Sequence, residues 1–320
     1  MIPADVERFT ERVRRGEAFE NDRGRRPSTN LQPGKSPIDA EIGEVLIPAL
    51  SEPGTRAALS GLHDRARADR AERRRRMHDH AIGLSHETGR SVAALAQGRL
   101  RAAEALAKLP PGFGGPQYIL LTEPYLIWPT NITLHSSGIA ERESFAQFEI
   151  VVDQDSSSYG AVRFLYYWTN PYDEQALINI DVLCTWNGLN DVTLDGGFFS
   201  SDRNISNVLA WLDVNALWDP KLNVGGDYWT IFSEFLEDGI IYASSQEVST
   251  QVHSGSDLRV QHLLVPPLRT VVFSAGVSVD CQVHGAGLGV FDYASVSFQV
   301  GSPYALITVL ARYPQIGPRV

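Results

Sequence analysis

Hydrophobic and polar residues alternate most regularly in the C-terminal two thirds of the chain. Over 269–283, Val271, Phe273, Ala275, Val277, Val279, Cys281 and Val283 fall on one face of an extended strand; Ser274, Gly276, Ser278, Asp280 and Gln282 fall on the other. A period of two with one apolar face predicts a half-buried strand, core on one side and water on the other. Ile178, Ile180, Val182, Cys184 and Trp186 share a face in the same way. Further strands are predicted at FAQFEIVV, GAVRFLYYW, YWTIFSEFL, GIIYAS, LRVQHLLV, GLGVFDYASVSFQV and ALITVLARY, separated by turn residues. About ten to twelve strands in about 200 residues predict a two-sheet sandwich over 116–320, in the manner of a jelly roll.

Before residue 110 the period changes. Val6, Phe9, Val13 and Phe19 recur near helical spacing among charges and predict a short amphipathic helix within 1–20. NDRGRRPSTNLQPGKSP, 21–37, has three prolines and reads as a linker or extended arm, so 1–53 forms a helix plus arm. From 54 to 110 the chain is rich in Ala, Arg, Leu and Glu. Leu59, Leu62 and Ala66, then Val92, Leu95, Ala102, Leu106 and Leu109, keep a 3–4 spacing. GLSHETG, 83–89, lies between the two patterns and favours a helical hairpin turning there. An unbroken rod of about 80 Å is the other solution at 1.5 Å per residue. The apolar stripe is narrow and largely alanine, so either form needs a partner surface. The expected fold class is α+β: a helical N-terminal region followed by an all-β sandwich.

Charge divides along the same boundary. Residues 1–110 carry 20 basic and 16 acidic side chains, a net of +4, and residues 111–320 carry 8 and 22, a net of −14. Seven arginines stand between 65 and 76, among them Arg65 and the run Arg73, Arg74, Arg75 and Arg76. Phosphate binding is disfavoured, because acids stand at i±4 to several of them: Asp69 to Arg65 and Arg73, Glu72 to Arg76, Asp79 to Arg75. No helix-turn-helix, RNP or zinc-finger pattern accompanies the run. A solvated helix face and docking onto an acidic protein surface remain, and this chain carries such a surface itself. The leading expectation is a non-catalytic structural or binding protein forming a homo-oligomer, with Arg65, Arg73 to Arg76, Val92, Leu95 and Leu106 at the contact.

Catalytic and metal chemistry finds little purchase. G-x-S-x-G, C-x-x-C and H-E-x-x-H are absent. HSGSD, 253–257, reads as a polar turn between strands. His78 and His80 diverge by about 200° on a helix, so they do not share a metal. DQDSSSYG opens like a calcium loop at Asp153 and Asp155 but has Ser158 and Phe164 where an EF-hand needs glycine and glutamate. A looser calcium site would draw on Asp191 or Asp195. Cys184 and Cys281 point inward and read as packing. No cofactor is expected. The N-terminus lacks the apolar region of a Sec signal, which predicts synthesis in a reducing cytoplasm.

Two rival functions have named residues. YYWTNPYDEQ and TWNGLND place Trp168, Tyr172, Trp186 and Asn187 at strand ends, aromatic beside amide, the combination that stacks and hydrogen-bonds a sugar ring; the bland reading for both tryptophans is core packing. The two long alternating stretches of 269–300 have the length of a membrane-spanning β-hairpin, as pore formers use; an ordinary sandwich shows the same alternation. Glycan or another protein is therefore a possible partner, while nucleic acid and membrane are not the expected ones.

Overall fold

The computed structural model describes residues 2–15, 53–54, 68, 72, 76, 94, 97–110, 115–132, 134–140, 143–153, 156–194, 203–219, 223–237, 246–284 and 293–314. Its elements are α1 (Ala4–Arg14) and eleven strands: β1 (Gln117–Leu121), β2 (Leu126–Thr130), β3 (Leu134–Ala140), β4 (Glu143–Asp153), β5 (Ser156–Thr169), β6 (Gln175–Leu194), β7 (Arg203–Ala216), β8 (Asn223–Glu237), β9 (Gln246–Val265), β10 (Thr270–His284) and β11 (Tyr293–Tyr313). Residues 97–107 are helical as well. One sheet runs β3-β4-β11-β6-β9, with β1 also on β11; the other runs β2-β5-β10-β7-β8, and all pairs are antiparallel. From β4 onward the chain crosses between sheets at every step except β7 to β8.

The predicted inward faces meet between the sheets. Ile178, Ile180, Val182, Cys184 and Trp186 of β6 and Val271 to Val283 of β10 belong to one core with Phe148, Phe164, Tyr166 and Val208. Tyr166 and Phe273 stack at 5.5 Å between centroids and 12° between planes. An expected strand end and an expected turn lie inside strands. TWNGLND is part of β6 and HSGSD part of β9, because these strands pair with each other across 246–265 and β6 also pairs with β11. A ladder on both sides of β6, and on one side of β9, outweighs the turn preference of Asn, Gly and Ser. The proposed membrane hairpin is not a hairpin: β10 pairs with β5 and β7, β11 with β1, β4 and β6, in opposite sheets.

The two described helical segments pack against opposite outer faces of the sandwich. In α1, Val6, Phe9 and Val13 are buried against Leu165, Val272, Tyr125, Leu126, Trp128 and Tyr167 of the five-stranded sheet and its entry loop. Asp5 and Glu7 in the first turn, and Arg12 and Arg14 in the last, match the helix dipole. Eleven residues make a marginal helix alone, so packing is what holds it. Across the molecule, Leu100 and Ala103 of 97–107 pack on Leu183, Tyr304, Leu306 and Leu120, and Arg99 pairs with Asp257 at 3.1 Å. The polar face of β10, expected to be wet, is covered: Ser274, Ser278 and Asp280 are buried. Phe19, the 21–37 arm and the 83–89 turn lie outside the described residues, and with them the choice between hairpin and rod.

Candidate binding site

Among the described residues β8 is the outermost strand of its sheet and pairs only with β7. Its register slips by one residue, with Thr230 opposite Leu209 and Phe232 opposite Val208, leaving Ile231 as a bulge. Just before the bulge stand two large aromatics in open solvent, Tyr228 at 71% and Trp229 at 61% exposure. Tyr228 lies opposite Trp211 on the outer face; Trp229 lies opposite Ala210 on the face turned toward the other sheet. Polar side chains flank the rings. Thr230 and Ser233 are exposed, and Ser233 donates to Asn207.

Behind Tyr228 a stack of side chains crosses the whole sheet: Trp211 on β7, Gly276 on β10, Arg163 on β5 and Trp128 on β2 are successive cross-strand neighbours. A Cβ on Gly276 would stand 2.7 and 2.9 Å from two Trp211 ring carbons, so the missing side chain is what lets the indole lie across the strand. The buried Arg163 guanidinium sits 5.2 Å from the Trp211 centroid and donates to Thr130 Oγ1 at 2.6 Å. Burial pulls its pKa down to about 10, opposed by the Asp213 carboxylate. The edge itself is fixed by Asp227, whose carboxylate accepts from the backbone N–H groups of Tyr228 and Arg259, both at 2.9 Å, tying β8 to β9. The result is a ledge along the edge strand with one exposed ring on each face, Tyr228 outward with the Thr230 and Ser233 hydroxyls and Trp229 on the face turned toward the other sheet.

The residues nominated from sequence do not come together. Trp168 and Trp186 are core, at 6% and 1% exposure, and neither ring can reach a sugar. Tyr172 is half-buried, its hydroxyl hydrogen-bonded to Gln117 and its ring under the Arg312 guanidinium at 4.7 Å. The stretch around it is a structural turn held by Asn170, whose Nδ2 donates to the carbonyls of Glu174, Val265 and Pro266 at 2.8, 3.1 and 3.1 Å. Asn187 is half-buried within β6, well inside the strand. Tyr228 and Trp229 had a trace in sequence: YWTIFSEFL sets aromatics side by side, breaking the alternation, as an edge strand with a bulge does.

Arg65, Arg73, Arg74, Arg75, Val92, Leu95, Asp155 and Asp195 lie outside the described residues, and Asp153 closes β4. Arg76 pairs with Glu72 at 3.0 Å, the expected i+4 partner, and its side chain is 75% exposed. Leu106 is half-buried. Among the described residues no three His, Cys, Asp or Glu side chains are placed to hold a metal. Both cysteines are buried and free, and burial pushes the Cys281 thiol up to about 12 and Cys184 higher still, so neither is a thiolate at neutral pH.

No family model matches the chain, and no curated protein does. Among solved structures the chain is similar to TmCBM61 in complex with β-1,4-galactotriose, at 12% identity over 56% of this chain and 90% of that one, TM-score 0.20. It is also similar to a protein described as CBM4, at 10% identity over 59% and 85%, TM-score 0.15. A third is a family 29 carbohydrate-binding module, at 12% identity over 54% and 91%, TM-score 0.19. Likeness at these scores assigns neither ligand nor activity to this chain.

Proposed function

We propose that the protein is a non-catalytic carbohydrate-binding sandwich of jelly-roll type, and that a glycan docks on the β8 ledge through Tyr228 and Trp229. The strand orders β4-β11-β6-β9 and β5-β10-β7-β8, with the chain crossing between sheets at every step from β4 except β7 to β8, support the jelly-roll reading. One observation carries the ligand reading: two consecutive large aromatics, 71% and 61% exposed, one on each face of an edge strand, so that a glycan lying across the edge meets both rings. Sugars present C–H faces that stack on such rings while hydroxyls pair with neighbouring polar groups, here Thr230, Ser233 and the Asp227 carboxylate. Affinity electrophoresis and calorimetry against a panel of neutral and acidic polysaccharides test it. Binding to at least one is expected, weakened tenfold or more (about 1.4 kcal/mol) in Trp229→Ala and in Tyr228→Ala. No binding across the panel, or equal binding by both variants, overturns it.

Self-association is the second reading, and the same strand favours it. Phe235 is exposed as well, and among the described residues β8 has a strand partner on one side only, the arrangement through which sheets pair edge to edge. The Arg99–Asp257 pair gives the charge-led docking of helix on sheet one instance, within a single chain. A dimer by sedimentation that Trp229→Ala dissociates would put a second copy on the ledge in place of the glycan.

A further inference from the structure

One layer of the sandwich interior is polar. Asn190 on β6 points to the core side, between Trp186 and Val192 in the same alternating series, and is 0% exposed. Its cross-strand neighbours are Val296 and Thr250. Facing them on the other sheet, Glu234 of β8 stands opposite Ser206 of β7, which stands opposite Cys281 of β10. The layer is connected at two points: Thr250 Oγ1 donates to Glu234 Oε1 at 3.0 Å, bridging the two sheets, and Ser206 Oγ lies 3.7 Å from Cys281 Sγ. The next layer on one side holds Val192, Val248, Val283 and Leu236 around the buried Asn204, whose Nδ2 donates to the Thr193 carbonyl, and on the other side stand Val208, Val279 and Phe232.

Neither amide atom of Asn190 has a hydrogen-bond partner among the described residues. A primary amide buried without partners forfeits its hydrogen bonds to water with nothing in return, and native interiors rarely leave one so. The group that satisfies it must accept from Nδ2 and donate to Oδ1. A cation answers the oxygen and repels the N–H₂, and an anion does the reverse. A neutral hydroxyl of the smallest size answers both, and Thr250, Ser206 and the Glu234 carboxylate offer it further bonds. Thr250 and Glu234 are only half-buried, at the side where β8 and β9 meet, which gives access from solvent.

We propose that this layer is an internal hydration site: at least one long-lived water, bound to the Asn190 amide between the sheets, exchanging through the gap closed by the Thr250–Glu234 hydrogen bond. Water-oxygen magnetic relaxation dispersion on the full chain counts such molecules, and a high-resolution map locates them. Asn190→Leu is expected to lose at least one long-lived water, and the wild-type map to show density within hydrogen-bonding distance of Nδ2 or Oδ1. Thr250→Val, altered at the half-buried rim, is expected to keep that water and speed its exchange roughly fivefold, the value of one hydrogen bond. An unchanged count in Asn190→Leu overturns the proposal. If that variant does not fold, exchange in Thr250→Val as slow as in wild type overturns it. A thermal midpoint raised by added calcium or sodium chloride in wild type but not in Thr250→Val would instead make the occupant a cation.

Discussion

Trp211 and Trp229 stand on neighbouring strands of one sheet, eighteen positions apart in sequence, and have opposite fates. Trp211 is 2% exposed, laid over Gly276 beside the Arg163 guanidinium and covered on the outer face of the sheet. Trp229, one strand further out, is 61% exposed. The indole chemistry is the same, so the difference is one of support. β7 has strands on both sides and a glycine placed to receive the ring, whereas among the described residues no strand continues the sheet beyond β8. A tryptophan that packs contributes to stability, and one left in water adds nothing to the fold. That contrast is why the exposed ring, and not the better-held one, is read as a binding residue.

The contrast breaks most visibly from the packed side. Trp211→Ala removes a fully seated indole and is expected to cost about 3–5 kcal/mol in urea unfolding. Gly276→Ala attacks the same seat from below. Its new methyl meets the Val162 carbonyl oxygen, which is backbone and cannot swing aside, as well as the Trp211 ring. About 3 kcal/mol is expected, at the upper end of overpacking costs. If Trp211→Ala unfolds with the wild-type midpoint, the ring does not hold the sheet and the comparison fails.

A smaller effect is expected at α1, where the helix is an attachment to the sandwich. Phe9→Ala removes its central contact, and the loss is capped by the helix letting go: at most about 2 kcal/mol, with faster amide exchange over 4–14 and an intact sandwich. Tyr125 beneath the helix gives the same contact a pH dependence. Its hydroxyl, hydrogen-bonded to Thr10 at 3.4 Å, has a pKa raised by burial from 10 to about 12. The folded state prefers the neutral phenol, so the stabilisation is complete below pH 10 and is lost as pH rises from 10 through 12. Amide exchange in α1 should accelerate across that window in wild type and less so in Tyr125→Phe. Equal acceleration in both would assign the effect to another group.

What was readable in the sequence follows from which interactions are local. The inward series of β6 and β10, the buried cysteines, the Val6–Phe9–Val13 stripe and the Glu72–Arg76 pair are set by spacing of two, three or four, and the structure has each of them. Positions decided by distant chain were not readable. Asn187 and Gly188 look like a strand end until strands on both sides pair with them. Ser274 and Asp280 look wet, yet their face lies under a covering layer to which α1, more than 250 residues away in sequence, contributes. Trp168 and Trp186 sit beside polar residues in sequence but alternate away from them in space. The edge position of β8 depends on the order of all the strands, and only the doubled aromatics of YWTIFSEFL hinted at it.

The smallest expected effect on stability is the one that sharpens the comparison most. Trp229→Ala exchanges an indole in water for a methyl in water, so the unfolding free energy should stay within about 0.5 kcal/mol of wild type. Tyr228→Ala should behave alike, because the Asp227 bonds that hold this edge go to backbone N–H groups, which alanine keeps. Measured beside Trp211→Ala under one set of conditions, the two indoles should differ by at least about 2.5 kcal/mol in cost. If Trp229→Ala instead destabilises by more than about 1 kcal/mol, the ring is packed in solution and the ledge loses one of its two faces. Stability unchanged while glycan binding falls would mean that residue serves the ligand alone.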